Sequence, residues 1–413
     1  MRRVSARALR LEPMSAIDPF HATRALFDLP DGLVYLDGNS LGALPKAVGP
    51  RVAEVIASEW GGQLIGAWNS AGWVDLPRRV GDRVGRLIGA PAGTVVMGDT
   101  LSIKVYQALA SALELRPDRH VILSDTGNFP TDLYMAQGLI ASLGRGHELR
   151  VVEPEAVEGA IDRSVAAVML TQVDYRTGRL HDMAALTRRA HDVGALAIWD
   201  LAHSAGALPI DLLGADADFA VGCTYKYLNG GPGAPAFIYV APRLADDARP
   251  ALSGWFGHDS PFAFEPSYRP AAGVERMRVG TPPVVALAAL DAALDVWEGI
   301  DMQALRARSI ELGNLFIAEV HRSLSDLELA SPEDASRRGS QVSFRHAEGY
   351  AVMQALIAEG VIGDYRAPDI IRFGFTPLYL GEDDVRRGAA ILVDILSSGR
   401  WDRPEFRRRN KVT

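Results

Sequence analysis

The feature that most constrains the fold of this 413-residue chain is a repeated alternation of short apolar runs with segments of helical periodicity. The apolar runs are typical of buried strands: VILS at 121–124, AAVMLT at 166–171, ALAIW at 195–199, FAVGC at 219–223 and AFIYV at 236–240. Between such runs, the stretch LPRRVGDRVGRLIGA places Val80, Val84, Leu87 and Ile88 on one helical face. This alternation predicts an α/β domain with a mainly parallel central sheet between helices.

The pattern changes after GTPPVV at 280–285, where long helical stretches precede the strand-like runs QVSF and DIIRFGF. We therefore predict three parts. A segment at 1–45 packs with the smaller domain, a large α/β domain covers 46–285, and a small α+β domain covers 286–413. The arginine-rich first 13 residues are predicted to be an unstructured arm, or to precede the true start at Met14, rather than a transit peptide. The basic end RRRNKVT is predicted to be a solvated tail.

Composition excludes some classes of partner. The net charge of −8 argues against nucleic acid as the main partner, because phosphate neutralisation needs a basic excess. The apolar runs are all far shorter than the ~20 residues of a membrane helix, so we expect no membrane association. Cys223 is the sole cysteine, which rules out an intrachain disulfide and favours a reducing compartment such as the cytoplasm.

Polar residues follow the predicted strands where ligands of a parallel sheet gather, at the carboxyl ends. They are Thr171, Asp200, His203, Tyr225 and Lys226. A carboxylate and a lysine at that edge are what pyridoxal phosphate requires. The lysine amine binds the cofactor as a Schiff base, and the acid keeps the pyridine nitrogen protonated. Arginine cannot replace that lysine because it does not lose its proton. The plainer alternative is that Asp200 caps a helix and Lys226 lies on the surface.

A phosphate site is predicted at the start of the helix in GDTLSIKVYQALASAL, with Asp99 or Thr100 as N-cap. The first-turn amides and the Ser102 hydroxyl would bind an anion there, although an ordinary cap would look the same. Phe129, just before Pro130, is placed to stack on a cofactor ring or to lie in the core.

The residues resemble those of kynureninases, pyridoxal-phosphate enzymes of fold type I and the aminotransferase class V group. The resemblance runs from YLDGNSLGALP at 35–45 to IRFGFTPLY at 371–379. GNSLG, YLNGGPG and GWFGH are its most specific stretches.

The resemblance implies a role for each matching position. Lys226, Asp200 and Tyr225 would be catalytic, with Tyr225 a candidate for proton transfer. The cofactor would further be held by Leu101, Ser102, Phe129, Asp132, Thr171, His203, Trp255 and Thr281. Substrate binding would fall to Arg372, which would grip the α-carboxylate, and to Ser40, Trp255, Thr281 and His258, although His258 could equally be a structural loop residue. Trp255 and Thr281 would reach in from the partner subunit of a homodimer.

The implied reaction is hydrolysis of L-kynurenine to anthranilate and L-alanine by cleavage of the Cβ–Cγ bond. The 3-hydroxylated substrate is a further possibility, and Thr281 favours plain L-kynurenine. Four other functions fit the sequence less well. A cysteine desulfurase needs a cysteine on a mobile loop, whereas Cys223 ends a predicted strand. An aminotransferase would use the same Asp200 and Lys226. A non-catalytic regulator would carry a DNA-binding module, and a dehydrogenase would carry a G-x-G-x-x-G turn.

Overall fold

A computed structural model describes residues 19–409, so the predicted N-terminal arm and the last four residues lie outside the described range. The strands are β1 Phe27–Asp28, β2 Val34–Tyr35, β3 Leu44–Pro45, β4 Val95–Met97, β5 Val121–Asp125, β6 Glu148–Val152, β7 Val165–Thr171, β8 Leu196–Asp200, β9 Phe219–Gly222, β10 Phe237–Val240, β11 Gln341–Arg345, β12 Val361–Ile362, β13 Asp364–Arg366 and β14 Ile370–Gly374. The α-helices are α1 Val48–Glu54, α2 Ala67–Ser70, α3 Leu76–Leu87, α4 Leu101–Leu115, α5 Pro130–Leu143, α6 Val157–Ala160, α7 Met183–Asp192, α8 Val284–Ala293, α9 Met302–Ser323, α10 Gly349–Ala358, α11 Glu382–Ser398 and α12 Pro404–Arg407.

The central sheet has seven strands in the order β4-β10-β9-β8-β7-β5-β6. The strands from β5 to β9 pair in parallel, and β10 runs antiparallel to both of its neighbours. The predicted mainly parallel sheet is confirmed, and the five predicted strands are present to within one residue at each end. Strands β4 and β6 were not predicted. Strand β4 has only three residues, and β6 (ELRVV) is partly exposed and includes charged residues, so neither forms a long apolar run.

Separate apolar cores cover the two faces of this sheet. On one face α4 packs Val105, Leu109 and Leu113 against the strands. On the other face α3 contributes Val80 and Val84, both fully buried, as its periodicity predicts. Because both faces are covered, the inner strands are mainly apolar, and polar residues such as Asp125, Thr171 and Asp200 occur at their carboxyl ends.

The C-terminal part contains the antiparallel sheet β11-β14-β13 and the packed helices α9 and α11. The ring of Phe316 on α9 lies 4.8 Å from that of Phe373 on β14. Strand β12 pairs in parallel with β2, so the N-terminal segment joins this part of the chain. The domain boundaries at 45 and 285 stay predictions. Across residues 19–409, no helix is long and apolar enough to cross a membrane.

Candidate active site

Lys226 and His203 meet at the carboxyl edge of the central sheet. Lys226 follows β9 and His203 follows β8, and the two strands are parallel neighbours. The Nζ atom of Lys226 lies 2.9 Å from Nε2 of His203. Burial, and then the positive charge of Lys226, holds the pKa of His203 well below its usual range. The imidazole is therefore neutral at pH 7, and its Nε2 can accept a hydrogen bond from the lysine amine.

Two buried carboxyl groups lie beside this pair. Asp200 ends β8 opposite Thr171 of β7, and Asp132 lies in the first turn of α5. Burial raises the pKa of Asp200 to about 6, against the opposing effect of Lys226. Burial and the charge of Asp200 raise the pKa of Asp132 well above its usual range. Two carboxyl groups so close together favour a shared proton or a bound cation.

The start of α4 forms the predicted anion site. Thr100 is its N-cap residue in extended conformation, and among the described residues no side chain caps the first turn. The amides of Leu101 and Ser102 are therefore available at the positive end of a fifteen-residue helix. Lys104 lies one turn further on, wholly buried, with its Nζ 3.0 Å from Asp99 Oδ2 and 2.9 Å from the carbonyl of Met277.

Tyr225 and Phe129 flank the lysine and the carboxylates. The Lys226 ammonium lies 5.8 Å from the centre of the Tyr225 ring. Burial, and then the neighbouring Cys223, raises the pKa of the Tyr225 phenol, so the phenol stays protonated at neutral pH. Phe129 is the N-cap residue of α5 and is 40% exposed, with its ring edge-on to Tyr175 at 5.1 Å. Its ring is accessible rather than buried in the core.

The two glycines of the GNSLG stretch allow close packing, Gly42 against the loop that carries Lys226 and Gly38 against Tyr379. The amide of Gly42 donates a 2.8 Å hydrogen bond to the carbonyl of Tyr225. A Cβ at Gly42 would overlap the carbonyl oxygen of Lys226, and a Cβ at Gly38 would overlap the hydroxyl of Tyr379. Glycine at these two positions thus allows a close backbone approach.

Arg372 on β14 lies almost fully buried in a cluster of charged groups. Its Nε donates to Asp364 Oδ1 at 2.5 Å and its Nη2 donates to Asp364 Oδ2. Nη2 also donates to Ser40 Oγ at 2.9 Å, and Nη1 donates to the carbonyl of Tyr175. The pKa of Asp364 is held below its usual range because Arg372 and then Arg366 oppose the effect of burial.

Trp255, Thr281 and His258 lie on the loops that follow β10. Trp255 is 38% exposed and stacks with Phe264 at 6.2 Å, and Thr281 is exposed. In the described part of one chain, no hydrogen bond or ring contact joins either residue to Lys226. Both ring nitrogens of His258 are used within its own loop: Nδ1 accepts from the Ser260 amide at 3.0 Å, and Nε2 lies 3.1 Å from the Ser267 carbonyl.

Four charged residues near the site were not predicted from the sequence: Asp37, Lys104, Asp364 and Arg366. Asp37 belongs to the quoted YLDGNSLGALP stretch, so it could have been found. Burial, and then the charge of Asp364, raises the pKa of Asp37 to about 7. Asp364 and Arg366 carried no signal, because their relation to Ser40 spans more than 300 positions of the chain.

Comparison with known proteins agrees with this geometry. Residues 305–392 match the family model described as the kynureninase C-terminal domain. A kynureninase from Pseudomonas fluorescens is 52% identical over 407 residues, which cover 97% of this chain and 98% of that protein. The chain belongs to the kynureninase family. A second kynureninase, from Burkholderia pseudomallei (strain 1106a), is 51% identical over 96% of this chain and 97% of its own length.

Solved structures place the kynureninase-family chain in fold type I, as predicted. The apo cysteine desulfurase of Thermococcus onnurineus NA1 superposes with a TM-score of 0.78 at 19% identity, covering 93% of this chain and 99% of its own. A cysteine desulfurase of Escherichia coli gives a TM-score of 0.75 at 20% identity, covering 91% and 97%. At these identities the likeness concerns the fold alone.

Kynureninases are hydrolases of carbon–carbon bonds that use pyridoxal phosphate, and the residues present fit that cofactor. Oδ2 of Asp132 and Nδ1 of His203 are buried, and neither has a hydrogen-bond partner in residues 19–409. A protonated pyridine nitrogen would satisfy the carboxyl pair of Asp132 and Asp200. The uncapped first turn of α4 would accept the phosphate.

Proposed function

We propose that this chain hydrolyses L-kynurenine to anthranilate and L-alanine, with Lys226 and Asp200 as its central catalytic residues. The observation that carries the proposal is the meeting of three parts. Lys226 contacts His203, and Asp200 is paired with Asp132. The loop containing Ser40 and Gly42 contacts both Tyr225, next to the lysine, and Arg372. The predominance of kynureninases at about half identity over nearly the whole chain supports the choice of reaction.

Each cofactor group has a residue proposed to hold it. Lys226 binds the aldehyde carbon covalently through Nζ, and Asp200, supported by Asp132, accepts a hydrogen bond from the pyridine nitrogen. The amide of Leu101 and the hydroxyl of Ser102 hold the phosphate with Tyr225. Phe129 would stack on the ring, and His203 and Thr171 would lie beside it. When bound, pyridoxal phosphate supplies an electron sink for the carbanion formed at the substrate α-carbon.

Three of the protein's own groups are proposed to hold or move protons. Lys226, once its amine is free, is placed to take the proton from the substrate α-carbon, and neutral His203 at 2.9 Å orients that amine by accepting a hydrogen bond from it. Asp200, which is buried, would keep the pyridine nitrogen of the cofactor protonated. The protonated phenol of Tyr225 is a donor within the same pocket and supplies a proton in the later steps.

The aromatic part of the substrate is proposed to lie between two subunits. Trp255 and Thr281 occupy exposed loops, together with Phe262 at 55% and Phe264 at 76% exposure. Such an apolar patch is typical of an interface. In a homodimer these loops would complete the partner's site, with Thr281 favouring L-kynurenine over its 3-hydroxylated form. His258, held within the loop, supports that loop's shape in this arrangement.

The fold also occurs in cysteine desulfurases, but the chain lacks what their chemistry needs. Cys223 is 3% exposed at the end of β9, and burial raises the pKa of its thiol. A nucleophilic cysteine must instead be accessible and have a lowered pKa.

The test is an assay of purified protein, loaded with pyridoxal phosphate, on L-kynurenine in buffer without any keto acid. We expect equal amounts of anthranilate, followed by its fluorescence, and L-alanine. A requirement for a keto-acid co-substrate would identify an aminotransferase and reject the proposal. A parallel assay with 3-hydroxy-L-kynurenine measures the substrate preference assigned to Thr281.

A further inference from the structure

The carboxylate subsite around Arg372 has fewer free donors than its predicted role requires. A guanidinium group has five N–H bonds. In Arg372, Nε and Nη2 donate to Asp364, Nη2 also donates to Ser40, and Nη1 donates to the Tyr175 carbonyl. One N–H of Nη1 is left for a ligand. A two-pronged grip on a carboxylate takes two parallel N–H bonds, so Arg372 cannot supply it without giving up a buried partner.

The charge of Arg372 is also already compensated. Arg372 and Asp364 are 1% and 3% exposed and form a buried ion pair. A paired and buried cation attracts a further anion weakly, because the two opposite charges act on it together. A substrate carboxylate brought into this cluster therefore needs a second positive charge.

Arg366, at the end of β13, is that charge. Its side chain is 35% exposed, and its Nη2 lies 2.9 Å from Asp364 Oδ2 and 3.5 Å from Ser40 Oγ. Its Nη1 donates to the carbonyl of the adjacent Tyr365. Since it shares Asp364 with Arg372 and faces solvent, Arg366 can turn donors towards a ligand without leaving a buried charge unpaired.

The cluster is connected to the reacting end of the site. The positive charges of both arginines contribute to the lowered pKa of His203, whose Nε2 contacts Lys226. Ser40, which lies between the two guanidinium groups, is two residues from Gly42, whose amide is bonded to the Tyr225 carbonyl. An amino acid attached through its amine near Lys226 would thus direct its carboxylate towards Arg366.

We propose that Arg366 is a substrate-binding residue that donates to the α-carboxylate together with the remaining Nη1–H of Arg372, while the Ser40 hydroxyl, which donates to Asp364, holds the cluster in place. The inference rests on the proposed function in taking the ligand to be an α-amino acid. In this arrangement the ion pair of Arg372 and Asp364 stays in its buried position, and Arg366 supplies most of the electrostatic attraction for the substrate carboxylate.

Binding to the cofactor-loaded enzyme tests this with two amines, one that carries an α-carboxylate and one that lacks it, and each ligand is compared between variant and wild type. One is L-alanine, and the other is the amine that remains when the carboxyl group is removed from L-kynurenine. Dissociation constants are measured by calorimetry and by the change in visible absorption. For R366Q we expect about ten- to a hundredfold weaker binding of L-alanine, as for one lost charge-assisted contact, and unchanged binding of the amine. R366K should lose less.

The matched control is R345Q. Arg345 lies on β11, which is separated from β13 by β14 in the same sheet, is 41% exposed and is bonded to Asp369, so it resembles Arg366 in environment but belongs to no part of the site. The R345Q variant should bind both ligands as the wild type does. Equal loss of both ligands in R366Q, or unchanged binding of L-alanine, would overturn the inference. Failure of the wild type to hydrolyse L-kynurenine, with the R366Q difference intact, would reject the proposed function alone.

Discussion

The backbone amide of Gly42 donates a 2.8 Å hydrogen bond to the carbonyl of Tyr225, the residue before Lys226. This contact holds the loop that carries Ser40 against the loop that carries the lysine. Carboxylate recognition and proton transfer therefore depend on one close backbone approach, which a side chain at position 42 would prevent.

We expect Gly42→Ala to lower kcat/KM for L-kynurenine by at least tenfold and to destabilise the protein by about 1–3 kcal/mol, the usual cost of overpacking. The added methyl would overlap the Lys226 carbonyl and crowd Asn229. Steady-state kinetics and thermal unfolding measure the two effects. The control is G49A in α1, where a Cβ meets nothing within 4 Å. Equal behaviour of the two variants would contradict the close-packing explanation.

Lys226→Ala is expected to abolish the visible absorption band of the bound cofactor and to lower kcat by ~10³-fold or more. The reason is that Nζ both attaches the cofactor and moves the α-proton. Borohydride reduction, tryptic digestion and mass spectrometry should place the adduct on the wild-type peptide containing residue 226. K46A, which alters an exposed lysine, serves as the control. An adduct at another lysine would disprove the assignment.

The stability of the cofactor-free protein should depend on pH through Asp200. Its pKa of about 6 in the folded protein lies above the ordinary value, so its contribution is complete below pH ~4 and is lost as the pH rises through about 6. D200N, which carries no charge there, should gain in melting temperature relative to wild type as the pH rises from ~4 to about 6 and should keep that gain above pH 6. Differential scanning calorimetry measures this, with the exposed D192N as control. A difference that stays constant with pH would rule out the buried carboxylate as its source.

Asp37 should make substrate affinity depend on pH. With a pKa raised to about 7, it becomes charged above neutrality beside Arg366, Arg372 and Asp364. The extra negative charge repels the substrate carboxylate, so we expect KM for L-kynurenine to rise about tenfold from pH 6 to pH 8. D37N should remove that rise. If KM in D37N kept the wild-type slope, a group other than Asp37 would be responsible.

Complementation between inactive variants tests the shared site. K226A and W255A are mixed, denatured together and refolded. If Trp255 serves the partner's site, a mixed dimer has one intact site, and activity returns to about a quarter of wild type. If Trp255 acts within its own chain, mixing restores nothing. Sedimentation of the mixture verifies that dimers have formed.

The sequence by itself determined the layered α/β fold and the positions of Asp200 and Lys226. A strand is recognised from the pattern of adjacent residues in the sequence. In a parallel sheet, the residues that follow the strands all lie at the carboxyl edge. Tyr225, His203 and Thr171 were found for the same reason. The kynureninase stretches added Arg372 and Ser40 as ligand-binding positions.

Only the tertiary structure decided how the charges around Arg372 are shared. Ser40, Asp364 and Arg366 are brought together by the packing of β2, β12 and β13, and Gly42 reaches Tyr225 across more than 180 residues. Local pattern contains no information on such pairings, because they depend on the distance between side chains from separate elements after burial. The pKa shifts of Asp37 and Asp132 follow from the same burial. Burial raises the pKa of Asp37 to about 7 and raises that of Asp132 well above its usual range.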